Sequence, residues 1–232
     1  MSVTDTSTLD VGKHMSDPRI QRLHRAVKGR FDGARLIGHG MDHIYRDLIN
    51  ALVIGETEDC RMPIVIAAVL LHDIGFLSSP EPERHNITGA EQCHAWLEGW
   101  TEAEKADVAE CIFRHKGVME EWKTVPETVE QKIVCDADLL EKVGHIGLVQ
   151  GVRVFTEFGA TFAPRFNSLS GVAEVLTRSR TVQFYTRKGR ELAMERGGIE
   201  VRVVLMEKVL SELGFYNAAL QQLADIEPPA RT

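Results

Sequence analysis

The chain has 232 residues, enough for one domain with a substantial core, and 44% hydrophobic against 26% charged residues is the balance of a globular protein. A net charge of -7 excludes the broad basic face that a nucleic-acid polymer or an anionic membrane surface requires, while leaving room for a local basic pocket that meets a phosphorylated small molecule.

The opening MSVTDTSTLDVGKHMSD lacks the basic-then-apolar order of a signal peptide and reads as a flexible tail over 1–16. Asp17-Pro18 then opens a helix that runs to about Arg30. A second helix starts near Met41 and carries HIYRDLINALVIG. Met62-Pro63 starts a third, PIVIAAVLLHDIG, apolar almost all round and therefore central. Its apolar run, 64–71, is far too short to span a bilayer, and Gly75 ends it. FLSSPEPERHN is a loop, and Thr88 begins an amphipathic helix with Ala90, Cys93, Trp96 and Leu97 on one side. Thr101 caps the next helix, with Glu104 at the capping-box position; it ends near His115. Pro126 leads into ETVEQKIVCDADLLEKVG, and a helix from Gly144 reaches about Gly159. A loop over 160–169 and two long helices, roughly 172–196 and 199–223, complete an all-α domain over 17–224, with a frayed tail over 225–232.

Cys60, Cys93, Cys111 and Cys135 form no C-x-x-C pair and read as small thiols of a reducing compartment. The expected location is cytoplasmic. The oligomeric state leaves no visible trace.

Chemistry concentrates elsewhere. His72 and Asp73 are adjacent at the end of the most apolar helix, where charged side chains need a partner or a metal. Neighbours on a helix diverge, but at a terminus the backbone can turn and aim both at one point, where the negative end of the dipole favours a cation. Asp136 and Asp138 interrupt an apolar stretch, and His43 begins the helix of GHGMDHIYRD. Two imidazoles and two carboxylates without a thiolate suit six-coordinate Mn, Fe, Co or Mg better than structural zinc, and leave positions for water and substrate.

These motifs resemble those of the HD superfamily of metal-dependent phosphohydrolases. GHGMDHIYRD looks like its first helix motif, AAVLLHDIG like its His-Asp doublet and VCDADLLEKVG like its final Asp motif. The likeness covers roughly 20–160. It implies a single-domain helical bundle of HD type and, residue by residue, the metal ligands His43, His72, Asp73 and Asp136. One divalent ion is the reading, two the alternative. His85 and His115 resemble positions that face substrate in single-metal members and bind a second metal in two-metal members, with the doublet Asp bridging. Leu139 and Glu141 stand where relatives with a D-A-D-x-L motif often carry Arg and Asp, and Gly40 where Asp is common, so the resemblance leaves the substrate open.

Arg46, one turn beyond His43, reads as a phosphate clamp or as a salt-bridge partner of Asp42 or Asp47. Lys116, beside His115, is a second phosphate-binding candidate. Asp138 reads as a helix anchor or a support to a ligand His. His39, ahead of its helix, reads equally as local structure and as pocket lining. Trp96, Trp100 and Trp122 read as core or rim aromatics. The expected activity is hydrolysis of a phosphate ester or anhydride, a nucleotide among the candidates, by a metal-activated water. A diiron oxygenase, in which His85 and His115 are ligands, and a non-catalytic metal- or ligand-binding module are the alternatives.

Overall fold

The computed structural model describes residues 6–34, 36–79, 81–117, 124–157 and 182–201, with 203–205, 207–208, 211–212 and 215 beyond. The elements are α1 (Val11–His14), α2 (Pro18–Phe31), α3 (Met41–Gly55), α4 (Met62–Leu71), α5 (His85–Gln92), α6 (Glu102–Arg114), α7 (Val129–Leu139), α8 (Gly144–Glu157) and α9 (Arg187–Glu195). Short 3-10 turns lie at Ile74–Leu77, Pro82–Arg84, Cys93–Trp96 and Leu140–Lys142. No strand occurs among the described residues, so the all-α expectation is met. No helix among them is long and apolar enough to cross a membrane. The expected loop over 160–169, Trp122 and the tail over 225–232 lie outside the described residues.

The apolar run of α4 does what its composition dictates: Ile64 through Leu71 are all buried, and the helix packs against α2, α3, α6 and α7. Its partners turn one stripe inward each, Ile20, Leu23 and Val27 from α2, Ile44, Leu48 and Leu52 from α3, and Val108 and Ile112 from α6. Each large aliphatic side chain buried this way stabilises by roughly 1.5–3 kcal/mol.

Local signals set the helix starts. Asp17 accepts from the Arg19 backbone N–H at 2.8 Å with Pro18 at the first position. Thr101 and Glu104 form the expected capping box. Near Pro126 the cap is Thr128, paired with Gln131 in a second capping box, so α7 begins at Val129. A turn of helix, α1, interrupts the stretch expected to be tail: Asp10 caps it, and Leu9 and Met15 on its flanks pack on the core. The helix expected from Thr88 begins earlier, at His85, because the Pro82–Arg84 turn feeds directly into it.

Leu70 is fully buried at the centre of this arrangement. We predict that Leu70→Ala lowers the unfolding free energy by about 2–5 kcal/mol, the range for cavity-forming core truncations, measured by urea denaturation.

Candidate metal centre

Five helix ends and one helical face meet at the site. His43 lies in the first turn of α3, and Asp47 follows four residues later on the same face. His72 closes α4 in helical conformation, whereas Asp73 leaves it (φ -103°, ψ 7°), so the two neighbours converge as expected. His85 is the first residue of α5, His115 follows α6, and Asp138 lies in the last turn of α7.

Their donor atoms form two adjoining groups. In the first, His43, Asp47, His72 and Asp138 each offer an atom within 4.8 Å of the others. The Nε2 atoms of His43 and His72 are 3.4 Å apart; Asp47 Oδ2 lies 3.2 Å from the former and 3.4 Å from the latter. Asp138 Oδ1 is 3.7 Å from His43 Nε2. The second group is Asp73, His85 and His115. Asp73 faces both: its Oδ2 is 3.4 Å from His43 Nε2 and 3.3 Å from His72 Nε2, and its Oδ1 is 3.5 Å from His85 Nε2.

The tautomers are fixed by the backbone. Nδ1 of His72 meets the Val69 carbonyl at 2.8 Å, that of His85 the Pro82 carbonyl at 2.7 Å, and that of His115 the Ile112 carbonyl at 2.6 Å. A carbonyl only accepts, so each Nδ1 carries the proton and, in the neutral ring, each Nε2 presents a lone pair. Yet Nε2 of His85 and of His115 face one another at 3.1 Å. Two lone pairs repel at that distance unless a cation lies between them. Two nitrogens bound at right angles to a metal at about 2.1 Å would sit about 3 Å apart.

Electrostatics agree. Asp47 is 1% exposed and neither of its carboxylate oxygens has a hydrogen-bond partner; Asp73 Oδ2 and His43 Nδ1 are likewise unsatisfied. The close charged partners of Asp47 and Asp73 are imidazoles, with Arg196 acting on Asp47 through space, a costly arrangement in a dry interior without a bound cation. Burial holds the His115 imidazole down to about 3, with His72 adding repulsion, and burial with His115 and Lys116 holds His85 well below the usual histidine range. Both rings are therefore neutral at pH 7. At His72 burial is outweighed by Asp73 and Asp47, which raise it to about 9. The donors present fit a divalent cation in each group.

Three of the expected site residues have other partners. Asp136 belongs to neither group. Its carboxylate accepts from the backbone N–H groups of Tyr185 and Thr186 at 2.8 and 2.7 Å and from the Thr186 hydroxyl at 2.6 Å, capping the start of α9. A side chain on Gly189 would come within 2.4 Å of it. Asp138, two residues on, is turned to the site instead, with its other oxygen held by Lys142 at 2.7 Å. Residues i and i+2 on a helix point about 200° apart, so only one of the two can face the ligands. Arg46 is no free clamp: its guanidinium is taken up by Glu141, Asp42 and Gln150. Lys116 is buried beside His115 and donates to the Glu83 carbonyl, tying the end of α6 to the turn before His85. Asp47, not singled out in the sequence, joins the first group. Its signal was present in the sequence, an acid one turn from His43 among Leu48, Ala51 and Leu52. Gly75 does more than end a helix: a Cβ there would lie 2.0 Å from the His85 carbonyl oxygen, so the close approach of α5 to the doublet requires glycine.

This is an all-helical domain with a buried His/Asp cluster able to hold metal. Residues 40–142, which include every donor named above, match the HD domain family, and the protein is an HD domain protein. The Bacillus subtilis (strain 168) protein YpgQ is 25% identical over 178 residues, 72% of this chain and 82% of YpgQ. Three solved structures share the fold. A predicted HD superfamily hydrolase from an uncultured Thermotogales bacterium is 23% identical with a TM-score of 0.57, over 88% of this chain and 99% of that one. A Lactobacillus plantarum protein is 15% identical with a TM-score of 0.64, over 88% and 98%. Bacillus subtilis YpgQ in complex with ADP is 22% identical with a TM-score of 0.56, over 91% and 96%.

Two predictions follow from the geometry. Asp138→Ala should deplete bound metal with little loss of helix content. Asp136→Ala should retain metal while costing about 2–4 kcal/mol in denaturant stability, since it strips three hydrogen bonds from a buried helix start. Metal content by elemental analysis separates the two variants.

The second concerns acid. The unfolded histidines take up protons near pH 6.5, whereas folded His85 and His115 do not until far lower. The unfolded state therefore binds more protons between about pH 6.5 and 3. The stability these two rings contribute is present above pH 6.5 and falls as pH drops through that window. His72, shifted upward, contributes in the opposite sense, losing its share as pH rises from 6.5 through about 9. In chelated protein, His115→Gln should flatten the acid decline measured by urea unfolding between pH 7 and 4. An unchanged slope would contradict this.

Proposed function

We propose that the protein is a metal-dependent hydrolase of phosphate esters or anhydrides with a nucleotide-like substrate, and that its site takes two divalent ions. His43, Asp47, His72 and Asp138 would hold one and His85 and His115 the other, with Asp73 shared. The observation that carries the reading is the pair of His85 and His115 Nε2 atoms turned toward each other beside Asp73, each with its Nδ1 already committed to a carbonyl. A single ion in the first group would leave that pair without a purpose.

Divalent ions held there supply polarisation of a phosphoryl oxygen and a water acidic enough to act as nucleophile at neutral pH. The rest is the work of the chain. The carbonyls of Val69, Pro82 and Ile112 keep three imidazole lone pairs aimed inward. At Asp73 burial is outweighed by His72 and the other nearby imidazoles, so it brings buried negative charge, whereas burial pushes the Asp47 carboxyl well above the usual range and a cation there would favour its ionised form. Lys142, a third exposed, neutralises one oxygen of Asp138 and leaves the other for the site. Lys116, whose charge bears on His85, adds positive potential on the second side, where a phosphoryl group would develop charge. The ADP complex of YpgQ supports a nucleotide-class ligand. The preferred ion among Mn, Fe, Co and Mg follows from activity after reloading.

The same donors suit a diiron oxygenase, a reading favoured by the inclusion of His85 and His115 among them. One experiment separates the two. Chelated protein is reloaded with Mn, Fe(II), Co or Mg and offered nucleoside di- and triphosphates and simple phosphate monoesters. Release of phosphate or pyrophosphate is expected, reduced roughly 100-fold or more by Asp73→Ala. Oxygen consumption without phosphate release from any of them would move the protein to the oxygenase reading.

A further inference from the structure

We propose that Phe76 and His39 are positioning residues for His85, setting the plane of its ring so that the second ion can bind; the inference rests on the two-ion reading above. The Phe76 ring, in the turn just after Asp73, stacks on His85 with centroids 3.9 Å apart and planes 20° from parallel. His39 stacks near the opposite end of this column, 4.0 Å from Phe76 at 26°. His39 is itself clamped. Its Nδ1 contacts Glu157 Oε1 at 2.6 Å, and the other oxygen of Glu157 accepts from the backbone N–H groups of Gly38 and His39 at 2.6 and 3.0 Å. Gly38 packs so closely on α8 that a Cβ would lie 2.7 Å from Val154. The column Glu157–His39–Phe76–His85 thus runs from the last residue of α8 to a donor of the second group.

The need for such a column follows from torsional physics. A histidine ring turns about a broad, shallow sp³–sp² torsion. The hydrogen bond from His85 Nδ1 to the Pro82 carbonyl fixes one atom of the ring, and a stacking face fixes its plane. His115 instead meets His72 edge-on and His85 at a tilt. His39 belongs to neither donor group, which separates a supporting role from ligation.

The test is a cobalt titration of chelator-stripped full-length protein, read as stoichiometry and as visible absorption. Wild type should bind two Co(II). Phe76→Leu should bind the first ion as wild type does, and both it and His39→Ala, which also strips an edge contact from His43, should bind the second roughly 10- to 100-fold more weakly, the usual cost of losing a group that orients a ligand. His39→Phe keeps a stacking ring and should retain the second ion. His39→Ala stands as the test should Phe76→Leu fail to fold. Unchanged second-ion binding in the alanine and leucine variants overturns the inference alone. Loss of the second ion in His39→Phe as severe as in His39→Ala also overturns it, because His39 would then act through its nitrogens. A wild type that binds one ion or none overturns the two-ion reading, and the inference falls with it.

Discussion

Two carboxylates sealed into a helical core, three of their four oxygens without a hydrogen-bond partner, are the constraint on which the rest of the structure depends. Asp47 and Asp73 are almost wholly buried, and imidazole nitrogens lie 3.2 to 3.4 Å from their oxygens. Removing an ionised carboxylate from water without compensation costs several kcal/mol, a large share of the stability of a domain of this size. The chain tolerates the burial only if positive charge arrives. In the absence of metal the charge is relieved by protons on His43 and His72, both raised despite burial, and at Asp47 itself, whose carboxyl burial pushes well above the usual range. A divalent cation would satisfy the same carboxylates and leave the imidazoles neutral, the state that the hydrogen bond from His72 Nδ1 to the Val69 carbonyl prepares.

The fold serves that constraint by spending helix ends on it. Ends are where the backbone can change direction and where main-chain carbonyls are left without intrahelical partners. Both features are used at once: the carbonyls of Val69 and Ile112, near the ends of their helices, orient His72 and His115, and the break after His72 lets Asp73 turn inward. Gly75 and Asn86 set the spacing between these ends. Gly75 lets the turn approach His85, and Asn86 bonds the Phe113 carbonyl, joining the start of α5 to the end of α6. The central helix α4 supplies rigidity through apolar packing on all sides, so the doublet at its end has little freedom to move.

The parts legible in the sequence were those encoded by local rules. Helical periodicity and caps such as Asp17 and Thr101 specified the all-α architecture, and the acidic and histidine residues interrupting apolar runs marked His43, His72 and Asp73. What stayed illegible was the rotation of each helix about its axis. Asp136 and Asp138 are equally surprising in an apolar stretch. Which of them faces the ligands is decided by where α9 docks, and the segment that brings Thr186 to Asp136 is distant in sequence. Arg46 was ambiguous for the same reason, because its partner Glu141 comes from another element 95 residues away. Asp47 could have been found by applying to the acid the one-turn spacing that drew attention to Arg46.

Anomalous diffraction from crystals equilibrated with manganese tests the account most directly. Two peaks are expected, one within bonding distance of the His43 and His72 Nε2 atoms and one between those of His85 and His115, with an oxygen of Asp73 reaching each. A peak at Asp136, or none among these histidines in crystals that hold the ion elsewhere, would contradict it.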